Sequence, residues 1–200
     1  MRRSIIRTLQ ILGVAVGLVR VAFELDLDLL VEATPAMMQA AVGGTPVAEA
    51  LTAEQKAQLD AFLEAFGRPG GALDAVEPWM GALTLSSVVA QQAGATGESV
   101  DAHFFHRAKA DSKPRVAFET VAQQVETLDG LTTEDQVDFL MATVHDGPDQ
   151  SVAVLNDIVA AWAAGQDDRL ATLLYATVEA APVASMEAQE NVLQQMVDLI

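Results

Sequence analysis

The chain has no cysteine, which excludes a disulfide framework, a thiolate metal site and a thiol nucleophile. Basic residues are scarce: 11 Lys and Arg stand against 28 Asp and Glu, a formal charge of −17 over 200 residues. A surface of that sign repels phosphate backbones, and no basic patch overrides it, so nucleic acid is not an expected partner. Histidine occurs only at 103, 106 and 145, and Ser86-Ser87 lacks the G-x-S-x-G context of a serine hydrolase. No apolar run reaches the roughly 20 residues that a membrane span requires. What is abundant is apolar: a 51% hydrophobic share favours a packed globule over a disordered chain. The length suits a single domain over residues 1–200.

At the amino end, Arg2, Arg3 and Arg7 precede the apolar run Leu9–Val19, the outline of a secretory signal without a small-x-small cleavage site. The plainer reading of the same residues is a buried strand or helix start in the core, and cytoplasmic and exported locations both stay open. Arg20 to Asp28 is helix-compatible, and Leu29-Leu30-Val31, bounded by Pro35, reads as a buried strand ending at Glu32. Thr52 with Gln55 has capping-box spacing and opens an amphipathic helix that stops at Gly67. Pro78 starts a second long helix running toward Gly94. A third helix, Ala102 to Lys109, precedes Arg115–Thr120, which reads as a second buried strand with Glu119 at its end. The remainder is helical: Thr133 with Gln136 repeats the capping-box spacing, Gly147-Pro148 and Gly165 mark breaks, and Met186–Ile200 forms a last amphipathic helix. The pattern predicts a helix-rich α/β fold, a small sheet flanked by many helices.

Five strings in order resemble the TraB/GumN family, relatives of the Tiki proteins: Asp28-Leu29-Leu30-Val31-Glu32, Glu77-Pro78-Trp79-Met80, Val100-Asp101-Ala102-His103-Phe104, Lys113 to Thr120 with Gln123 or Gln124 following, and Ala161 to Asp167. The resemblance implies metal-dependent hydrolases, peptidases in the Tiki branch, marked by two G-x-x-H elements, strand-end glutamates and a late Arg-Asn pair. Two imidazoles and a carboxylate can hold a divalent cation with one position open for water, whose pKa then falls toward neutrality. By this likeness Glu32, Glu119, Asp101 and Asn191 are the catalytic candidates, and Glu32 is the candidate ligand of a divalent metal. The sequence departs from the pattern at every histidine. Valine stands in the ligand position of Gly13-Val14-Ala15-Val16, Glu190 precedes Asn191 where the arginine would be, and no second G-x-x-H follows the last helix before Ile200. The expectation is a family relative, lacking its C-terminal strands and the implied metal, that does not hydrolyse. The alternative is an interaction module or fragment that self-associates through an exposed sheet edge or needs a partner.

The candidate residues also have plainer readings. Glu32 and Glu119 suit strand-end carboxylates at helix amino termini, and Asp101 suits an N-cap. His103 and His106 share a helix face and could grip a metal beside Asp101, but Phe104 and Phe105 intervene and no third ligand has helical spacing. His145 fits a cation near a helix carboxyl end. Trp79 and Trp162 lie in apolar helical patterns and read as core or interface anchors.

Overall fold

A computed structural model describes residues 21–95, 99–145 and 147–179. They form β1 (Val21–Leu25), α1 (Leu27–Ala40), α2 (Val47–Ala50), α3 (Ala53–Ala65), α4 (Pro78–Gln92), α5 (Val100–Ala110), β2 (Arg115–Glu119), α6 (Val121–Asp129), α7 (Thr133–His145), α8 (Gly147–Ala163) and α9 (Asp167–Glu179). The helix-rich α/β class holds, with two parallel strands as the sheet among the described residues. No described helix is long and apolar enough to cross a membrane. The segment Gly13–Val16 and the helix expected over Met186–Ile200 lie outside the described residues.

The chain divides into two compact units, one comprising residues 1–34 and 97–123, the other 35–96 and 124–200. In the first, β1 and β2 pair in register, Val21 with Arg115, Phe23 with Ala117 and Leu25 with Glu119. Phe23 is buried and meets the buried Phe105 of α5 edge to face, with ring centroids 5.2 Å apart. Arg115 lays its guanidinium 4.9 Å from the centre of the Phe105 ring, an attraction of cation to ring face. Here the sequence reading is corrected twice. The stretch expected to be helical holds the strand, because Phe23 finds its apolar partner on α5 and the backbone finds its ladder on β2. Leu29–Glu32, expected as a buried strand, lies in α1, none of whose residues is buried. Asp26 starts that helix by accepting the Asp28 N–H through its side chain (3.0 Å) and the Leu29 N–H through its carbonyl (3.1 Å). Pro35 lies inside α1, where it withholds the N–H that would bond to the Val31 carbonyl; the two units divide at this residue.

The second unit carries the larger core. Leu59, Phe62 and Leu63 of α3, Ala82, Leu85 and Val89 of α4, and Leu140 and Val144 of α7 pack with Val47 and Leu73. Helix α3 opens with the expected reciprocal capping box between Thr52 and Gln55, and α4 carries Pro78 at its first turn. Gly81 is a packing glycine: a Cβ there would lie 3.4 Å from Leu140 Cδ1, so its absence lets α7 come close to α4. The expected capping pair Thr133 and Gln136 is replaced by its neighbours. Thr132 accepts the Asp135 N–H (3.2 Å), which frees the Gln136 side chain to turn inward and become buried. Its amide donates to the Asp129 and Leu131 carbonyls (3.4 and 3.3 Å) and to Oε2 of the buried Glu77 (3.4 Å). Trp79 is fully buried as expected, whereas Trp162 is 65% exposed and is not a core residue.

Candidate functional site

Parallel pairing makes both strands run out at the same end, so the residues that follow Leu25 and Glu119 meet there. Strand ends of this kind are where open α/β sheets collect ligands. A cleft of about 450 Å³ lies at this end, wholly within the first unit. Its walls are apolar, from Leu29 and Ala33 of α1, Ala117 and Phe118 of β2, and Val121 and Ala122 of α6. Around them stand the carboxylates of Asp26, Glu32 and Glu119.

The structure therefore brings together Glu32 and Glu119, by a route different from the one expected. Glu32 comes from the second turn of a helix and is exposed, while Glu119 is the last residue of β2 and is half-buried. Neither has an ion-pair partner among the described residues. Asp26, half-buried, joins them and was missed, because its place at a strand end became visible only once β1 was located. The amino terminus of α6 also borders the cleft, and two of its N–H groups are spent within its own cap. The Thr120 N–H donates to Gln123 Oε1 (2.8 Å) and the Gln123 N–H to Thr120 Oγ1 (3.2 Å), a reciprocal capping box.

Asp28, four residues before Glu32, has the opposite fate. Lys109 Nζ donates to its Oδ1 at 2.5 Å and Arg115 Nη2 to its Oδ2 at 3.2 Å. The Lys109 hydrogen bond, aided by the charges of Lys109 and Arg115, holds this carboxyl below the usual carboxylate range. Two of the unit's cations are thus engaged away from the cleft.

The remaining sequence candidates do not join this site. Asp101 is exposed in the first turn of α5 and is not among the cleft residues. It is not the N-cap either, since Ser99 occupies that position and accepts the Ala102 N–H at 3.1 Å. His103 and His106 are exposed on α5, and His145 lies in the last turn of α7 as expected. Asn191 lies outside the described residues. The divalent cation implied by the resemblance finds no donor set here: among the described residues no three His, Asp or Glu side chains converge to hold a metal ion. None of the described residues lining the cleft is a histidine. Glu32 as a metal ligand thus lacks partners among the described residues.

Among the described residues, a two-stranded parallel sheet with a helix after each strand defines a helix-rich α/β protein with a cleft at its strand ends. A family model described as the TraB/PrgY/gumN family matches residues 18–199, nearly the whole chain. The chain belongs to that family. No curated protein and no solved structure matches it.

Proposed function

We propose that this chain is a relative of metal-dependent, peptidase-like hydrolases that binds at the strand-end cleft without cleaving. The observation that carries the reading is the sign of the charge around that cleft. Amide hydrolysis places negative charge on the carbonyl oxygen in the transition state, and catalysis depends on donors or cations aimed at it. Among the described residues, the ionisable ones that line the cleft, Asp26, Glu32 and Glu119, are all acidic. The nearest helix amino terminus spends its Thr120 and Gln123 N–H groups on its own capping box. A field of this sign opposes the transition state and favours a cationic occupant. Glu32 and Glu119 are then binding groups, not a general acid and base.

The test is hydrolysis of a broad set of peptide substrates by the full chain with magnesium, manganese, cobalt or zinc at micromolar concentration. The expected result is no turnover above the protein-free rate. Divalent-cation-dependent turnover that Glu32→Gln abolishes would overturn the reading.

A second reading, an interaction module that self-associates, is favoured by the two-stranded sheet, in which each strand is an edge among the described residues. Sedimentation of the full chain distinguishes the two: a concentration-dependent increase in mass supports self-association, and a constant monomer mass removes it.

A further inference from the structure

The two strands of the first unit run parallel, and sheets built that way are normally covered on both faces. One face has its cover: Phe23, paired with Ala117, is buried against Phe105 of α5. Alternation along the strands puts the neighbouring ladder pair, Ala22 with Val116, on the other face together with Phe118. Both members of that pair are exposed, Val116 by 39%. Among the described residues the sheet is thus a layer packed on one side only, which leaves apolar surface to be buried.

The same unit carries a segment suited to that surface. Its described residues are 21–34 and 99–123, which leaves 1–20 and 97–98. Of these, only the first stretch contains an apolar run, Leu9–Val19, which leads into β1 through Arg20 and so stands within three residues of Ala22 along the chain. A tether that short makes docking intramolecular and raises the effective concentration of the segment at the sheet. Charge agrees with this. Residues 21–34 and 97–123 carry eight acidic and four basic side chains, whereas residues 1–20 carry four arginines and no acid; opposite signs draw the two together. The apolar pattern at Met186–Ile200 matches less well, because it carries Glu187, Glu190 and Asp198 without a basic residue and is grouped with the second unit.

We infer that the open face of the sheet, at Ala22 and Val116, is a docking surface for the chain's own residues Leu9–Val19, with the arginines of residues 1–20 offsetting the acidic excess of the rest of the unit. The inference is independent of whether the strand-end cleft binds or cleaves.

Because the chain has no cysteine, the full chain can be tested with single introduced thiols. Val116→Cys and Phe104→Cys stand at positions 39% and 51% exposed, and without a covering segment they would react with a maleimide at similar rates. With the segment seated, Val116→Cys should react about tenfold more slowly or less, the scale set by burying side chains of this size. Ala22→Cys is a second reporter of the same face and should be protected alike. Leu12→Glu/Val16→Glu, which penalises burial of the segment, should bring Val116→Cys to the Phe104→Cys rate while leaving Phe104→Cys and the circular dichroism unchanged. Equal rates at positions 116 and 104, or protection that survives Leu12→Glu/Val16→Glu, would overturn the inference. Protection that disappears on dilution would overturn it in favour of a second copy of the chain, and relief by Val192→Glu/Met196→Glu instead would do so in favour of the Met186–Ile200 segment.

Discussion

Gly44→Ala is the substitution whose cost the structure specifies most closely. A Cβ at Gly44 would stand 2.8 Å from the carboxyl carbon and from both oxygens of Glu77. A side-chain end can often step aside, but this one cannot do so freely. Glu77 is 4% exposed, accepts the Gly44 N–H and, through its other oxygen, the Gln136 amide. Its own backbone N–H is tied to the Ala41 carbonyl at 2.8 Å. Displacing the carboxylate breaks a charge-assisted hydrogen bond in a buried setting, a loss of about 1.5–3 kcal/mol. Gly43→Ala is the matched control, because its Cβ would meet Gln39 O at 3.4 Å, Ala40 O at 3.5 Å and Glu77 Oε1 only at 3.9 Å, ordinary contacts. It should cost below about 0.5 kcal/mol, as most substitutions away from special features do. Urea unfolding followed by circular dichroism should show a lowered midpoint at unchanged slope for Gly44→Ala. In a Glu77→Ala background the added cost should vanish, giving a coupling of about 2 kcal/mol within the range found for contacting residues. A Gly44→Ala midpoint equal to wild type, or an equal loss from Gly43→Ala, would refute this account of the Glu77 contact.

Phe105→Ala should destabilise the first unit by about 3–5 kcal/mol, because Phe105 is fully buried against Phe23 and beneath the Arg115 guanidinium; amide exchange of β1 and β2 should accelerate sharply, and unchanged protection would contradict the packing. In the second unit, Lys56 Nζ lies 2.5 Å from Asp60 Oδ1 and 3.0 Å from Asp74 Oδ1, and Asp60 also accepts the Gly71 N–H at 2.8 Å. The Lys56 hydrogen bond, then the Gly71 N–H, depress the Asp60 carboxyl, and the Asp60 hydrogen bond, then the nearby Asp74 carboxylate, raises the Lys56 amine. A depressed carboxyl stabilises above its unfolded pKa of about 4 and loses that contribution as pH falls through the folded value; a raised amine stabilises below about 10.4 and loses it as pH rises further. Lys56→Met should therefore cost below about 1 kcal/mol near pH 7, with the gap to wild type closing below about pH 4. A gap unchanged at pH 3, measured by urea midpoints, would refute the pairing.

Local signals in the sequence specify structure where they are self-contained. Thr52 and Gln55 cap α3 reciprocally and Pro78 opens α4, because each depends on neighbours within a few residues; Arg115–Glu119 is a strand as its pattern predicts, with its ladder supplied by the distant β1. The acidic balance is also a property of composition. Leu29-Leu30-Val31 is too short to favour one period over another, and its helical state follows from events elsewhere: Phe23 packs on Phe105, and β1 takes its ladder from β2. Thr132 and Thr133 are adjacent candidates for one cap, and only the inward turn of Gln136 toward Glu77 selects Thr132. Family likeness singled out Glu32 and Glu119, yet their shared cleft and its third carboxylate, Asp26, required the parallel register that puts Leu25 beside Glu119. Capping and composition are short-range and written along the chain, whereas which carboxylates face one another depends on pairing between distant segments, and that is decided by burial.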